Sequence, residues 1–99
     1  MRKIAALAEE IHEELCDAEK YAEKYLKAKD PEPDSASVYA QLAREELSHA
    51  NLLHGLVAKA IKAYTATGKE APQAMQAVWD YEHDKLIEQE KEVRMMLTM

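Results

Sequence analysis

Ninety-nine residues, 32% of them charged and 47% hydrophobic, fit one small globular domain, close to the size at which a single core only just suffices. The formal net charge of −6 leaves no basic face to displace the counterions of DNA or RNA, so nucleic acid is excluded as an expected partner. Cys16 is the single cysteine, which rules out an internal disulfide and fits a reducing cytosol. With no signal-peptide pattern at the start and no apolar run of membrane-spanning length, the expectation is a cytoplasmic protein with no membrane partner.

Phenylalanine is absent and glycine and proline number two and three, while alanine, glutamate, lysine, leucine and methionine are plentiful. That mixture favours helix and lacks the β-branched and aromatic residues of a sheet, so the chain is expected to be all-α. The first helix is predicted over about 2–29. Its apolar residues Ile4, Leu7, Ala8, Ile11, Leu15, Ala18, Ala22, Tyr25 and Leu26 recur at steps of three and four. It ends at Asp30-Pro31-Glu32-Pro33-Asp34, where two prolines remove backbone donors and Asp30 or Asp34 can cap the next helix.

The second helix is predicted over about 35–67, with Tyr39, Leu42, Leu53, Leu56, Val57, Ala60, Ile61 and Tyr64 as its apolar positions and Gly68 as its left-handed cap. The third, over about 72–97, opens on Pro72 and carries Met75, Val78, Trp79, Leu86, Val93, Met96 and Leu97. Short connections make consecutive helices antiparallel neighbours. The single domain is therefore expected to be a helical hairpin plus a third helix.

Three polar residues interrupt this pattern. Glu14 follows Ile11 by three and lies seven residues from both Leu7 and Tyr21, which places it on the same helix face. On the second helix, Tyr39, Leu42, Glu46, His49, Leu53 and Leu56 form one row with Glu46 and His49 in its middle. Unpaired carboxylates in a core-facing row are costly, and a bound cation removes the cost for Glu14, Glu46 and His49 together. Glu-x-x-His on a helix aims a carboxylate and an imidazole at one point. If the chain reverses at Lys29–Asp30, a rise of about 1.5 Å per residue brings Glu14 and Glu46 to nearly the same height. The competing structural account is a salt-bridged polar seam that sets helix register.

Glu14 with Tyr21 seven residues on, followed by Glu46 and His49 within Ala43-Arg44-Glu45-Glu46-Leu47-Ser48-His49-Ala50, resembles the first half of the ferritin and rubrerythrin superfamily. The resemblance covers about residues 4–64 and is nearest in chain size to the encapsulated ferritin-like proteins. It implies a di-iron carboxylate site in which Glu14 is a terminal or bridging ligand, Glu46 the bridge, His49 a terminal ligand and Tyr21 a nearby catalytic residue, with manganese as the other metal such ligands suit. The superfamily bundle has four helices and a second ligand set, whereas this chain offers only Asp80-Tyr81-Glu82-His83. Two chains pairing as a homodimer complete both bundle and site, which is the preferred arrangement. Alternatively, Asp80, Glu82 or His83 completes a degenerate site within one chain.

The remaining candidates read as ordinary structure. His12 and His54 are expected to face solvent or to lie beyond the ligands, Cys16 to be a packed thiol without a catalytic helper, and Trp79 to cover core or a subunit interface. The Glu9-Glu10 and Glu88-to-Glu92 runs read as solvated faces. The resemblance further implies iron binding with oxidation of Fe(II), in iron handling or oxidative-stress defence. The rival is a helical interaction module with a vestigial metal site or none, since fold alone does not establish chemistry.

Overall fold

The computed structural model describes residues 2–66 and 73–99, apart from the side chains of residues 2, 73–75 and 78. Three α-helices account for nearly all of it: α1 (Arg2–Ala28), α2 (Pro33–Ala66) and α3 (Gln73–Thr98), with no strand among the described residues. The expected cap at Gly68 and the ends at Thr67 and Pro72 lie outside the described residues, as do the side chains of Met75 and Val78.

The first turn is as tight as its prolines allow. The amide of Glu32 returns to the carbonyl of Ala28 at 2.8 Å, and the amide of Ala36 donates to the carbonyl of Glu32 at 2.9 Å. Glu32 thus occupies the capping position expected of Asp30 or Asp34. Helix α2 begins two residues earlier than predicted, on Pro33, because proline's fixed φ suits a first helical position whose amide has no partner anyway. Asp34 then lies in the first turn, where its charge complements the helix dipole.

The helices form a rod of 57 × 18 × 18 Å in an up-down-up arrangement. Helix α1 packs against both others, while α2 and α3 approach each other far less among the described residues. Long-range contacts set the direction of α3. His83 meets His54 near the upper part of the rod, Gln89 meets His12 lower down, and the Lys29 ammonium donates to the Met99 carbonyl at the base. Helix α3 therefore runs parallel to α1.

Most of the predicted core stripe of α1 holds: Ile4, Leu7, Ala8, Ile11, Leu15, Ala18 and Ala22 are buried, while Tyr25 and Leu26 at its end are only half-buried. On α3 the buried residues Trp79, Leu86 and Val93 follow at steps of seven. The stripe on α2 is corrected in part: Val57 is buried as predicted, and Leu53, Ala60 and Ile61 pack against the core, but the other large predicted residues do not line it. Its buried residues are Ala36, Ala40, Ala43, Leu47, Ala50 and Val57, whereas Tyr39, Leu42 and Leu53 are half-buried and Leu56 is 47% exposed. Most of the buried set is alanine, whose small side chains let the α1 and α2 backbones lie close together. The larger residues Tyr39, Leu42 and Leu56 are pushed to the rim of the hairpin, while half-buried Leu53 still packs against the core.

Candidate metal centre

That shift decides where the three polar residues sit. Glu14 projects from the middle of α1, and Glu46 and His49 from one turn of α2 opposite it. All three lie at the hairpin rim and not in the core, with side chains 28%, 20% and 53% exposed. The expectation of carboxylates inside a dry core stripe is therefore corrected, and the described residues include no buried charged group.

The three still converge. One ligand atom from each of Glu14, Glu46 and His49 lies within 4.8 Å of the others. His49 Nδ1 is 3.4 Å from Glu14 Oε2 and 3.7 Å from Glu46 Oε2. The Glu46 carboxyl is pushed up from 4.5 to about 7, above all by its hydrogen bond to Glu14, then by burial, then by the Glu14 charge. His49 pulls the other way, and Asp17 adds a smaller upward push. A carboxyl that faces another gives up its proton less readily, because both cannot ionise cheaply at short range. A cation at the same point stabilises both charges without that proton. Two carboxylates and one imidazole are the donor types that iron and manganese accept. The chemistry of the residues present therefore fits the metals that the resemblance implies.

The other predicted candidates are placed elsewhere. Asp80 accepts a hydrogen bond from Gln76 at 2.9 Å, Glu82 lies 4.0 Å from Lys85, and His83 faces His54. None of the three is brought to Glu14, Glu46 and His49. Tyr21 is two turns further down α1, with the Lys24 ammonium 5.7 Å from its ring centroid and 5.6 Å from that of Tyr39.

Two groupings were missed in the sequence. Cys16 has polar company: the Gln89 amide donates to its Sγ at 3.4 Å, and His12 Nε2 lies 3.6 Å away. His12 Nδ1 in turn sits 3.2 Å from Gln89 Oε1. The spacing of four between His12 and Cys16 was a readable signal, but Gln89 lay hidden in an apparent run of solvated charge. His54, expected to face solvent or sit beyond the ligands, instead brings its Nε2 to 3.0 Å from His83 Nε2. Nothing in the spacing within α2 or within α3 pairs the one histidine with the other.

Comparison with family models, curated proteins and solved structures returns no match. Among the described residues, no helix is long and apolar enough to cross a membrane.

Proposed function

We propose that Glu14, Glu46 and His49 bind a divalent metal, with Fe(II) the intended ion and Mn(II) a competent substitute, and that two chains pair to complete the site. The observation that carries this reading is the gathering of two carboxylates and an imidazole, from two helices, within 4.8 Å. The rim around them supports the pairing. Leu52 shares an open surface with Glu14 and His49 and is 70% exposed, and Leu56, one turn further along α2, is 47% exposed, an apolar edge suited to another hairpin of the same kind. Two copies facing one another supply four carboxylates and two imidazoles, the number a ferritin-like di-iron centre uses.

In this arrangement Glu14, Glu46 and His49 of each chain would hold the ions, with Glu46 as the carboxylate that both ions would share. A bound pair of Fe(II) ions would supply one electron each, becoming Fe(III), so that O₂ with two protons from solvent would leave as hydrogen peroxide. The protein's own contribution is to hold the ions together, and the elevated proton affinity of Glu46 lets that carboxyl exchange a proton as an ion arrives or leaves. Tyr21 is the candidate residue for tuning the site from below.

Aerobic oxidation of Fe(II), followed by absorbance, tests the reading. Wild-type protein and Asp80→Ala should exceed the solution rate, while Glu46→Ala and His49→Ala should fall to it. Background rates in all four proteins would favour the second reading, a helical interaction module, for which the exposed Leu52, Leu56 and Val38 are the supporting observation.

A further inference from the structure

We propose a second metal site, separate from the Glu14 cluster, in which His54 of α2 and His83 of α3 jointly bind a divalent transition ion of the imidazole-preferring class, such as Ni(II), Cu(II) or Zn(II). Their Nε2 atoms face each other at 3.0 Å. Without a metal, a hydrogen bond between them needs one Nε2 to donate its N–H and the other to accept on its lone pair. With metal–nitrogen bonds of about 2.0–2.1 Å, a 3.0 Å separation corresponds to an angle at the ion of roughly 95°. That is the angle between adjacent ligands in tetragonal or octahedral coordination, and imidazole nitrogen is a donor that nickel, copper and zinc favour. The pair is thus spaced as two ligands of one ion already are.

The surroundings make this a site and not a chance approach. The indole of Trp79, which is buried, stacks on His83 with centroids 5.1 Å apart and planes 25° from parallel. The two imidazoles are themselves stacked at 5.0 Å and 28°. His83 therefore belongs to a three-ring cluster whose third side, His54 to Trp79, is 6.0 Å, and these contacts restrict its orientation before any ion arrives. A cavity of about 190 Å³ opens beside both imidazoles, walled by Ile11, Leu15, Ala50 and Leu86, with Asn51 and Glu90 as polar members of its lining. A water molecule takes about 30 Å³ of liquid, so the cavity has room for the ligands that complete the ion's shell.

The location gives the ion a role. Helices α2 and α3 otherwise approach each other little, and α3 is held mainly by α1. An ion shared by His54 and His83 clamps α3 to the hairpin and closes the third side of the bundle.

Trp79 is the single tryptophan, and it lies against one of the proposed ligands, so its fluorescence reports occupancy. Ni(II) is the probe, titrated into wild type, His54→Ala, His83→Phe and Glu46→Ala. His83→Phe keeps a ring for Trp79 to pack on while removing the ligand nitrogen, and far-UV circular dichroism checks that each variant stays helical. Wild type and Glu46→Ala should show saturable quenching at one ion per chain, and the two histidine variants should need at least tenfold more Ni(II). Quenching unaffected by either histidine substitution overturns the proposal. So does quenching lost in Glu46→Ala alone, which would place the ion in the other cluster, leaving the proposed function standing without this site.

Discussion

His49 Nδ1 lies 3.4 Å from Glu14 Oε2 across the α1–α2 hairpin, although thirty-five residues separate the two in the chain. The contact depends on the hairpin register. The tight Ala28–Glu32 turn and the alanine-lined interface above it bring the middle of α1 level with the middle of α2. A slip of one residue in either helix rotates a side chain by about 100° and would send one member of the cluster away from the other two.

Interface spacing is therefore a direct control on the site. Ala43 is fully buried on α2, three residues before Glu46. Ala43→Leu should force the two helices apart and destabilise the fold by about 1–3 kcal/mol. Urea denaturation should register this as a lower midpoint at unchanged slope. An unchanged midpoint would mean that the hairpin is not closely packed at this level.

The proton held by Glu46 gives a pH dependence whose sign is set. Its folded value of about 7 lies above the ordinary 4.5, so the folded chain binds more protons than the unfolded chain between those limits. The associated stability is fully present below about 4.5 and is lost as pH rises through about 7. Glu46→Gln removes this titration. In metal-free buffer the variant should match wild type near pH 4 and exceed it near pH 8 by on the order of 2 kcal/mol. Parallel stability curves for the two proteins would remove that proton.

Metal should relieve the same repulsion. Mn(II), which does not oxidise in air as Fe(II) does, should raise the melting temperature of wild type and leave that of Glu46→Ala unmoved. Equal shifts in both proteins would show that the ion binds elsewhere.

Self-association follows from the apolar rim. Sedimentation at micromolar concentration should show a dimer or larger species, and Leu56→Glu should shift it towards monomer without loss of helicity. A wild-type protein that stays monomeric with and without Mn(II) would remove the shared two-chain site.

Gly55 offers a check on α2 that is independent of metal. It stands in the interior of a 34-residue helix, and a Cβ placed there meets nothing within 4 Å. Gly55→Ala should stabilise the protein by about 0.5–1 kcal/mol through helix propensity and a less flexible unfolded chain. Thermal melting would read this as an upward shift of several degrees.

Much was legible in the sequence because it is local. Helix content follows from residue propensities, the α1 core stripe from its own period, and the first turn from Pro31 and Pro33. Glu46 and His49 are one turn apart on any helix, so their shared face needed no structure. The partner across the hairpin was also within reach, because a short turn fixes which residues of two antiparallel helices stand level. The tertiary structure decided what local periodicity leaves open. Large apolar residues mark a helix face, but which face is buried depends on how closely the neighbouring backbone approaches. Here alanines carry that approach, which moves Tyr39, Leu42 and Leu56 to the rim and takes Glu14, Glu46 and His49 with them. The His54–His83 and Cys16–Gln89 contacts were equally out of reach, because they depend on the docking of α3 along α1, and no spacing within one helix encodes the height and rotation at which another helix comes to rest.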